Sequence, residues 1–183
     1  MIRRFQGTAP TLGRDVFVDE LALVAGAVTL ADDVSIWPFA ALRGDVNAIA
    51  IGARSNVQDN AVLHVTHDGP YTPGGVALTV GADVTIGHGA ILHACTIGDR
   101  VLIGMGAIVL DKARIDDDVI VAAGSLVSPG KHLRSGWLYR GSPAVAIREL
   151  TDDERANFTY STAHYVRLKN RHLQDQKDRK EIT

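Results

Sequence analysis

The sequence predicts an all-β coil, a parallel β-helix, followed by one C-terminal α-helix, and three observations predict it. Apolar residues recur at every sixth position, a small or β-branched residue follows four places after many of them, and the 18 glycines are spread at regular spacing. Period six is neither the 3.6 of a helix nor the strict alternation of a plain strand. It fits a short strand plus a turn, repeated, with both apolar sets pointing inward. Three such units close a triangular coil of about 18 residues, and stacked coils bury a continuous aliphatic column. A β-sandwich is the competing architecture, but its strands do not hold one six-residue phase for so long.

The phase runs through the chain in segments. Val24, Leu30, Ile36 and Leu42 form the first, Ile51, Val57 and Leu63 the second, and Val80, Ile86 and Leu92 the third. After a five-residue step come Ile97, Ile103, Val109, Ile115, Val121 and Val127. Gly, Asp and Asn supply the turns, including positive φ where needed. Three extra residues fall between Leu42 and Ile51, and a longer excursion from His67 to Leu78 carries Asp68-Gly69-Pro70 and Pro73-Gly74-Gly75. That excursion reads as a loop projecting from the coil, where function is often carried. The repeat is expected to decay after Pro129, with Gly141-Ser142-Pro143 as the exit turn. The coil domain therefore spans 1–150, and 151–183 form a helix and a charged tail. Thr151-x-x-Glu154 is a capping box, and the helix is expected from Asp152 to about Gln174. Its Phe158, Thr162, Tyr165 and Leu168 form the stripe that packs on the coil, and the tail from Asp175 frays.

Composition narrows the function classes. A net charge of −2 gives no basic footprint for nucleic acid. No stretch approaches the ~18 apolar residues of a membrane span. The single cysteine, Cys95, excludes an internal disulfide framework and fits a reducing compartment. Met1 to Pro10 has no apolar signal core, so a cytoplasmic location is the default expectation.

Three of the seven histidines, His64, His88 and His93, sit inside the repeat. A single histidine on an outer wall is ordinarily just solvated, but three on adjacent coils match what zinc asks for. His88 and His93 lie on successive edges of one coil and can face different sides of the prism. A trimer resolves this by pairing His88 of one subunit with His64 and His93 of its neighbour. Arg43-Gly44-Asp45 and Gln58-Asp59 break the outward pattern in the same register, as surface or interface ion pairs do.

Leu42-Arg43-Gly44-Asp45, Asn56-Val57-Gln58-Asp59, Leu63-His64, Ile86-Gly87-His88 and Leu92-His93 together resemble the γ-class carbonic anhydrase family in order and spacing. Ile103-Gly104-Met105-Gly106-Ala107 and Gly141-Ser142-Pro143-Ala144 extend the match. Within the family the chain looks most like the short bacterial branch that includes the YrdA proteins, over roughly Phe17 to Leu173. The resemblance implies a left-handed β-helix and a homotrimer with metal sites between subunits. His64 and His93 would come from one subunit and His88 from the next, with Zn2+ as the default metal and Fe2+ or Co2+ able to serve. Arg43 and Asp59 would form an intersubunit ion pair, Asp45 would support the pocket, and Gln58 would hydrogen-bond the metal's water or bicarbonate. Tyr160 matches the family's tyrosine near the site, with Tyr165 a competing choice. Two departures stand out. Val46 occupies the position of a glutamate after Arg-Gly-Asp, and His67 that of a proton-shuttling glutamate, a task an imidazole can perform.

The implied activity is reversible hydration of CO2 to bicarbonate by a metal-activated water. Three other functions compete: a metal-dependent hydrolase of coenzyme A thioesters, a non-catalytic trimeric binding or assembly subunit, and a hexapeptide acyltransferase. Pocket width beside His64 and His93 separates hydratase from thioesterase. Turnover by the isolated trimer separates both from a binding subunit, and survival of activity after metal stripping would point to acyl transfer.

Overall fold

Each six-residue unit becomes one side of a triangle because its apolar residues face in and a turn follows them. The computed structural model, which describes residues 1–182, is a left-handed parallel β-helix with one helix laid along it. The first face stacks strands at 2–3, 23–26, 41–44, 62–64, 91–93, 108–109 and 126–127. The second stacks 11–12, 28–30, 49–51, 78–80, 96–97, 114–115 and 132–133. The third stacks 17–18, 35–36, 56–57, 85–86, 101–103, 119–121 and 137–141.

The parallel register puts like on like. Val24, Leu42, Leu63, Leu92, Val109 and Val127 are mutual neighbours down the first face, all fully buried. Leu30, Ile51, Val80, Ile97, Ile115 and Leu133 line the second, and Ile36, Val57, Ile86, Ile103, Val121 and Tyr139 the third. Each aliphatic side chain so buried contributes about 1.5–3 kcal/mol. The column runs past Pro129 through Leu133 and Tyr139, so the repeat persists one coil further than its sequence pattern indicates.

The corners take left-handed backbone conformations, in most coils at one position per corner. Between the second and third faces these are Asp15, Asp33, Arg54, Asp83, Arg100 and Asp118. Aspartate tolerates this conformation; arginine there costs about 1–2 kcal/mol. Stacking offsets that cost, since Arg54 pairs with Asp83 at 2.5 Å and Arg100 with Asp118 at 2.7 Å. Of the two insertions, the first is absorbed into a single strand, Ala41–Ile51, that crosses from the first face to the second. The second forms a small hairpin-like loop tied by Thr66↔Val76 and Gly69↔Thr72 bridges. Gly141-Ser142-Pro143 does not lead straight out of the coil: it turns the chain into strand Ala144–Glu149, antiparallel to Trp137–Gly141.

The helix spans Asp152–Ile182, well past Gln174, and takes in the charged segment from Asp175; Thr183 lies outside the described residues. Its start is the expected capping box: Glu154 N donates to Thr151 Oγ1 at 3.2 Å, and Thr151 N donates to Glu154 Oε2 at 2.9 Å. The packed stripe is Phe158, Thr162, Tyr165 and Lys169 rather than one ending at Leu168, which is half-buried one position aside. Phe158 meets Ile120 and Leu150, while Tyr165 and His172 stand edge-on to Trp37. The helix thus runs back along the third face from the last coils to the first. Lys169 replaces an apolar residue in the stripe because its stem packs like one while its ammonium reaches Asp33 at 2.7 Å. Among the described residues no helix is long and apolar enough to cross a membrane.

Arg148 and the Thr151 N–H hold the Glu154 carboxyl down at about 2. A depressed carboxyl stabilises the fold above its unfolded value and ceases to do so as pH falls through the folded one. Glu154→Gln is therefore expected to lower the thermal midpoint at pH 7, at a cost of about 1 kcal/mol once solvent screening is counted. The gap between wild type and variant should close between pH ~4.5 and ~2, as read by circular dichroism melts across that range.

Candidate metal centre

The first face differs from the other two in what it shows to solvent. Its outward positions are Leu23, Ala41, Val62, Ile91, Ile108 and Leu126, with Phe39 and Met105 at its leading corner. Phe39 and Met105 are 59% and 60% exposed, and Val62 and Ile91 are also exposed. The helix covers the third face, and the second presents threonines followed by Arg114 and His132; the first presents an uncovered apolar strip. Such strips mark interaction surfaces.

The histidines flank this strip. His88 sits in the turn leading into the first-face strand Ile91–His93, and His93 ends it. Five residues of extended chain span at most ~17 Å, and the two rings occupy opposite corners of the face. His64 ends the neighbouring strand in register with His93, so their rings lie one above the other with centroids 5.2 Å apart. His64 Nδ1 faces His93 Nε2 at 3.2 Å.

Each of the three histidines has a ring nitrogen held by its own carboxylate. His64 Nε2 lies 3.0 Å from Asp45 Oδ1, His88 Nδ1 lies 3.0 Å from Asp59 Oδ2, and His93 Nδ1 lies 2.9 Å from Asp111 Oδ2. Asp45 is gripped in turn by Arg43 Nη1 at 2.5 Å, and Asp111 accepts from Thr66 Oγ1 at 2.5 Å. Burial pushes both of these carboxyls up, but the hydrogen bonds from Arg43 and His64, and from Thr66 and His93, outweigh it and hold them below the usual carboxylate range. Both are anions at neutral pH, as a histidine-orienting carboxylate must be.

The other expected site residues divide. Within one subunit Arg43 engages Asp45 and Asp59 engages His88. Gln58 is buried beside His88: its Oε1 accepts from the His88 N–H at 3.2 Å and its Nε2 donates to Asn56 at 3.1 Å. Tyr160 is 69% exposed on the helix, whereas Tyr165 is half-buried on the Trp37 side, where burial and the charge of Asp59 push its hydroxyl up. His67 is exposed at the base of the 67–78 loop, three residues beyond His64. Cys95 is buried in the core, and burial pushes its thiol up to about 12. Asp111 and Thr66 escaped the sequence reading. The available signal was the coil itself, since Asp111 follows His93 by 18 residues and so lies on the next coil beside the same corner.

Among the described residues, no three His, Cys, Asp or Glu side chains of one subunit converge to hold a metal. The donor set nonetheless fits zinc in kind. Three imidazoles are each fixed by a carboxylate, the outer-shell arrangement that orients metal-bound histidine. The 3.2 Å between the facing His64 and His93 nitrogens is close to the ~3.3 Å edge of a tetrahedron with Zn–N bonds of ~2.05 Å.

Gly44 sets the position of Arg43 and Asp45. A Cβ there would lie 2.6 Å from the Ala27 carbonyl oxygen, where the strand at 41–44 slides past the preceding coil. Gly44→Ala is expected to destabilise the protein by about 1–3 kcal/mol and to loosen the grip of Asp45 on His64. Urea denaturation measures the first effect, and NMR of the His64 ring in the metal-free protein measures the second.

Comparison with known proteins adds relatives to this geometry. Residues 94–129 match the family model described as bacterial transferase hexapeptide (six repeats). Protein YrdA of Escherichia coli strain K12 is 51% identical over 173 residues, covering 94% of each chain. Gamma carbonic anhydrase 1, a mitochondrial protein of Arabidopsis thaliana, is 41% identical over 165 residues, spanning 90% of this chain but 59% of that protein. A crystal structure of a hexapeptide transferase family protein from Anaplasma phagocytophilum superimposes with a TM-score of 0.85 at 37% identity, covering 93% of this chain and 96% of that one.

Proposed function

The chain belongs to the γ-carbonic anhydrase-like family of hexapeptide-repeat proteins, and from that premise we propose that it is a trimeric metalloprotein that hydrates CO2 to bicarbonate. One observation carries the reading: an exposed apolar face has a carboxylate-held histidine on one edge and a pair of them on the other. In a cyclic assembly one edge of each subunit meets the opposite edge of the next. Three copies then bury the apolar strips and bring His88 of one subunit beside His64 and His93 of its neighbour.

Zinc there, or iron or cobalt in its place, supplies Lewis acidity that lowers the pKa of water to about 7. The remaining work falls to the chain. Asp45 and Asp59 orient His64 and His88. Gln58 fixes the His88 backbone through Oε1, and an amide NH2 has two donors, so the one not given to Asn56 is free for bicarbonate. Arg43 lies on the edge where, in the trimer, it reaches Asp59 of the next subunit and adds an ion pair to the apolar contact. His67 stands on an exposed loop beside the His64 edge and carries the departing proton to solvent. Tyr165 lies within reach of the charge of Asp59, which makes it a better candidate than the exposed Tyr160 for the tyrosine near the site. The hexapeptide transferase relative keeps acyl transfer as the second reading, which calls for activity independent of metal.

Subunit mixing tests the shared site. His88→Ala and His93→Ala trimers should each bind almost no zinc. Unfolded and refolded together in equal amounts, they should recover about a quarter of the wild-type zinc and CO2 hydration, because random assembly joins complementary intact halves at that fraction of interfaces. No recovery, or zinc retained by either variant alone, would count against a site divided between subunits. Zinc without CO2 hydration would leave the thioester hydrolase and the binding subunit, which turnover of a coenzyme A thioester separates. Arg43→Ala should raise the concentration at which trimers dissociate, as read by sedimentation equilibrium in an analytical ultracentrifuge.

A further inference from the structure

Two of the three carboxylates that hold the candidate ligands, Asp45 and Asp59, belong to the motifs that carry the family likeness. The third, Asp111, belongs to none. We propose that Asp111 is the positioning residue of the centre, the group that makes His93 a ligand. The inference rests on the metal reading above.

Its geometry is specific. Asp111 Oδ2 lies 2.9 Å from His93 Nδ1, and its other oxygen accepts the Thr66 hydroxyl. Among the described residues no arginine or lysine pairs with it, so its charge is committed to the His93 ring. A carboxylate accepts, so Nδ1 carries the proton and Nε2 keeps its lone pair. Nε2 is the atom that faces His64 Nδ1.

The carboxylate is also held in place relative to both rings. Backbone bonds step down the corner from Ala94 N to His64 O at 2.9 Å and from Lys112 N to Ala94 O at 2.7 Å. Three successive coils, bearing His64, His93 and Asp111, are thereby locked together. Thr66 contributes from a fourth direction. Its carbonyl accepts from Asn47 Nδ2 at 3.2 Å and its backbone pairs with Val76, so the root of the 67–78 loop is fastened to the same carboxylate. An orienting partner of this kind sets both the tautomer and the rotation of a ligand, and its loss costs about 10–100-fold in metal affinity.

The test uses the full-length protein with zinc as the probe, titrated against a competing chelator, beside 15N-edited NMR of the histidine rings in metal-free protein. Wild type should show His93 protonated at Nδ1. Asp111→Ala should bind zinc about 10–100-fold more weakly and lose that tautomer. Asp111→Asn should recover part of both, because its amide oxygen still accepts from Nδ1. Thr66→Val should weaken zinc binding less than Asp111→Ala does. Zinc affinity and His93 tautomer both unchanged in Asp111→Ala would overturn the assignment. A tautomer that depends on Asp111 in a protein that takes up no zinc would uphold the positioning role while overturning the metal reading.

Discussion

Everything in this molecule depends on the parallel register between successive coils. Neighbouring strands lie ~4.8 Å apart, and each residue is stacked on the residue one turn away. On the inside this gives three aliphatic columns, with Leu63 on Leu92 and Ile86 on Ile103. At the corners it gives alternating charges, with Arg54 on Asp83 and Arg100 on Asp118. At the end of the first face it gives His64 on His93, with Asp111 one turn further. The same constraint that buries the core therefore assembles half of the candidate centre, and no separate loop architecture is needed to do so.

A rigid stack also limits what one subunit can do. The first-face strand separates His88 from His93, and a β-helix has no hinge through which the two corners could approach. Completion of a three-histidine site has to come from outside the chain. The uncovered strip of Phe39, Val62, Ile91 and Met105 is where another copy would sit. In the proposed trimer, burying that strip and completing the site would be one event, so assembly and metal binding would be thermodynamically linked.

Much of this was legible in the sequence because a six-residue period leaves little freedom: most inward residues between Val24 and Val127 were named from spacing alone, and Ile49, Val65 and Leu78 were missed because they lie beside the two insertions that break the phase. The candidate histidines were picked out by the same period, since His64 and His93 each follow an inward aliphatic and His88 lies two residues after one. What escaped was contact across coils that share no motif. Asp111 and Thr66 meet over 45 residues of chain, with an irregular loop between them. The helix stripe was misread at Lys169 because a charged residue in an apolar stripe is normally a reason to reject the position. Its partner, Asp33, lies on a corner column whose charge alternation becomes visible only once the coils are stacked. The end of the repeat was misplaced because Leu133 and Tyr139 keep the inward column while the residues around them no longer look repetitive.

Native mass spectrometry of protein purified without chelator or histidine tag tests the central claim most directly, since it reads assembly and metal content in the same ion. The account predicts trimers carrying three metal ions and monomers, released by dilution or mild acid, carrying none. A monomer that keeps its metal, or a stable trimer that binds none when supplied with zinc, iron or cobalt, would contradict it.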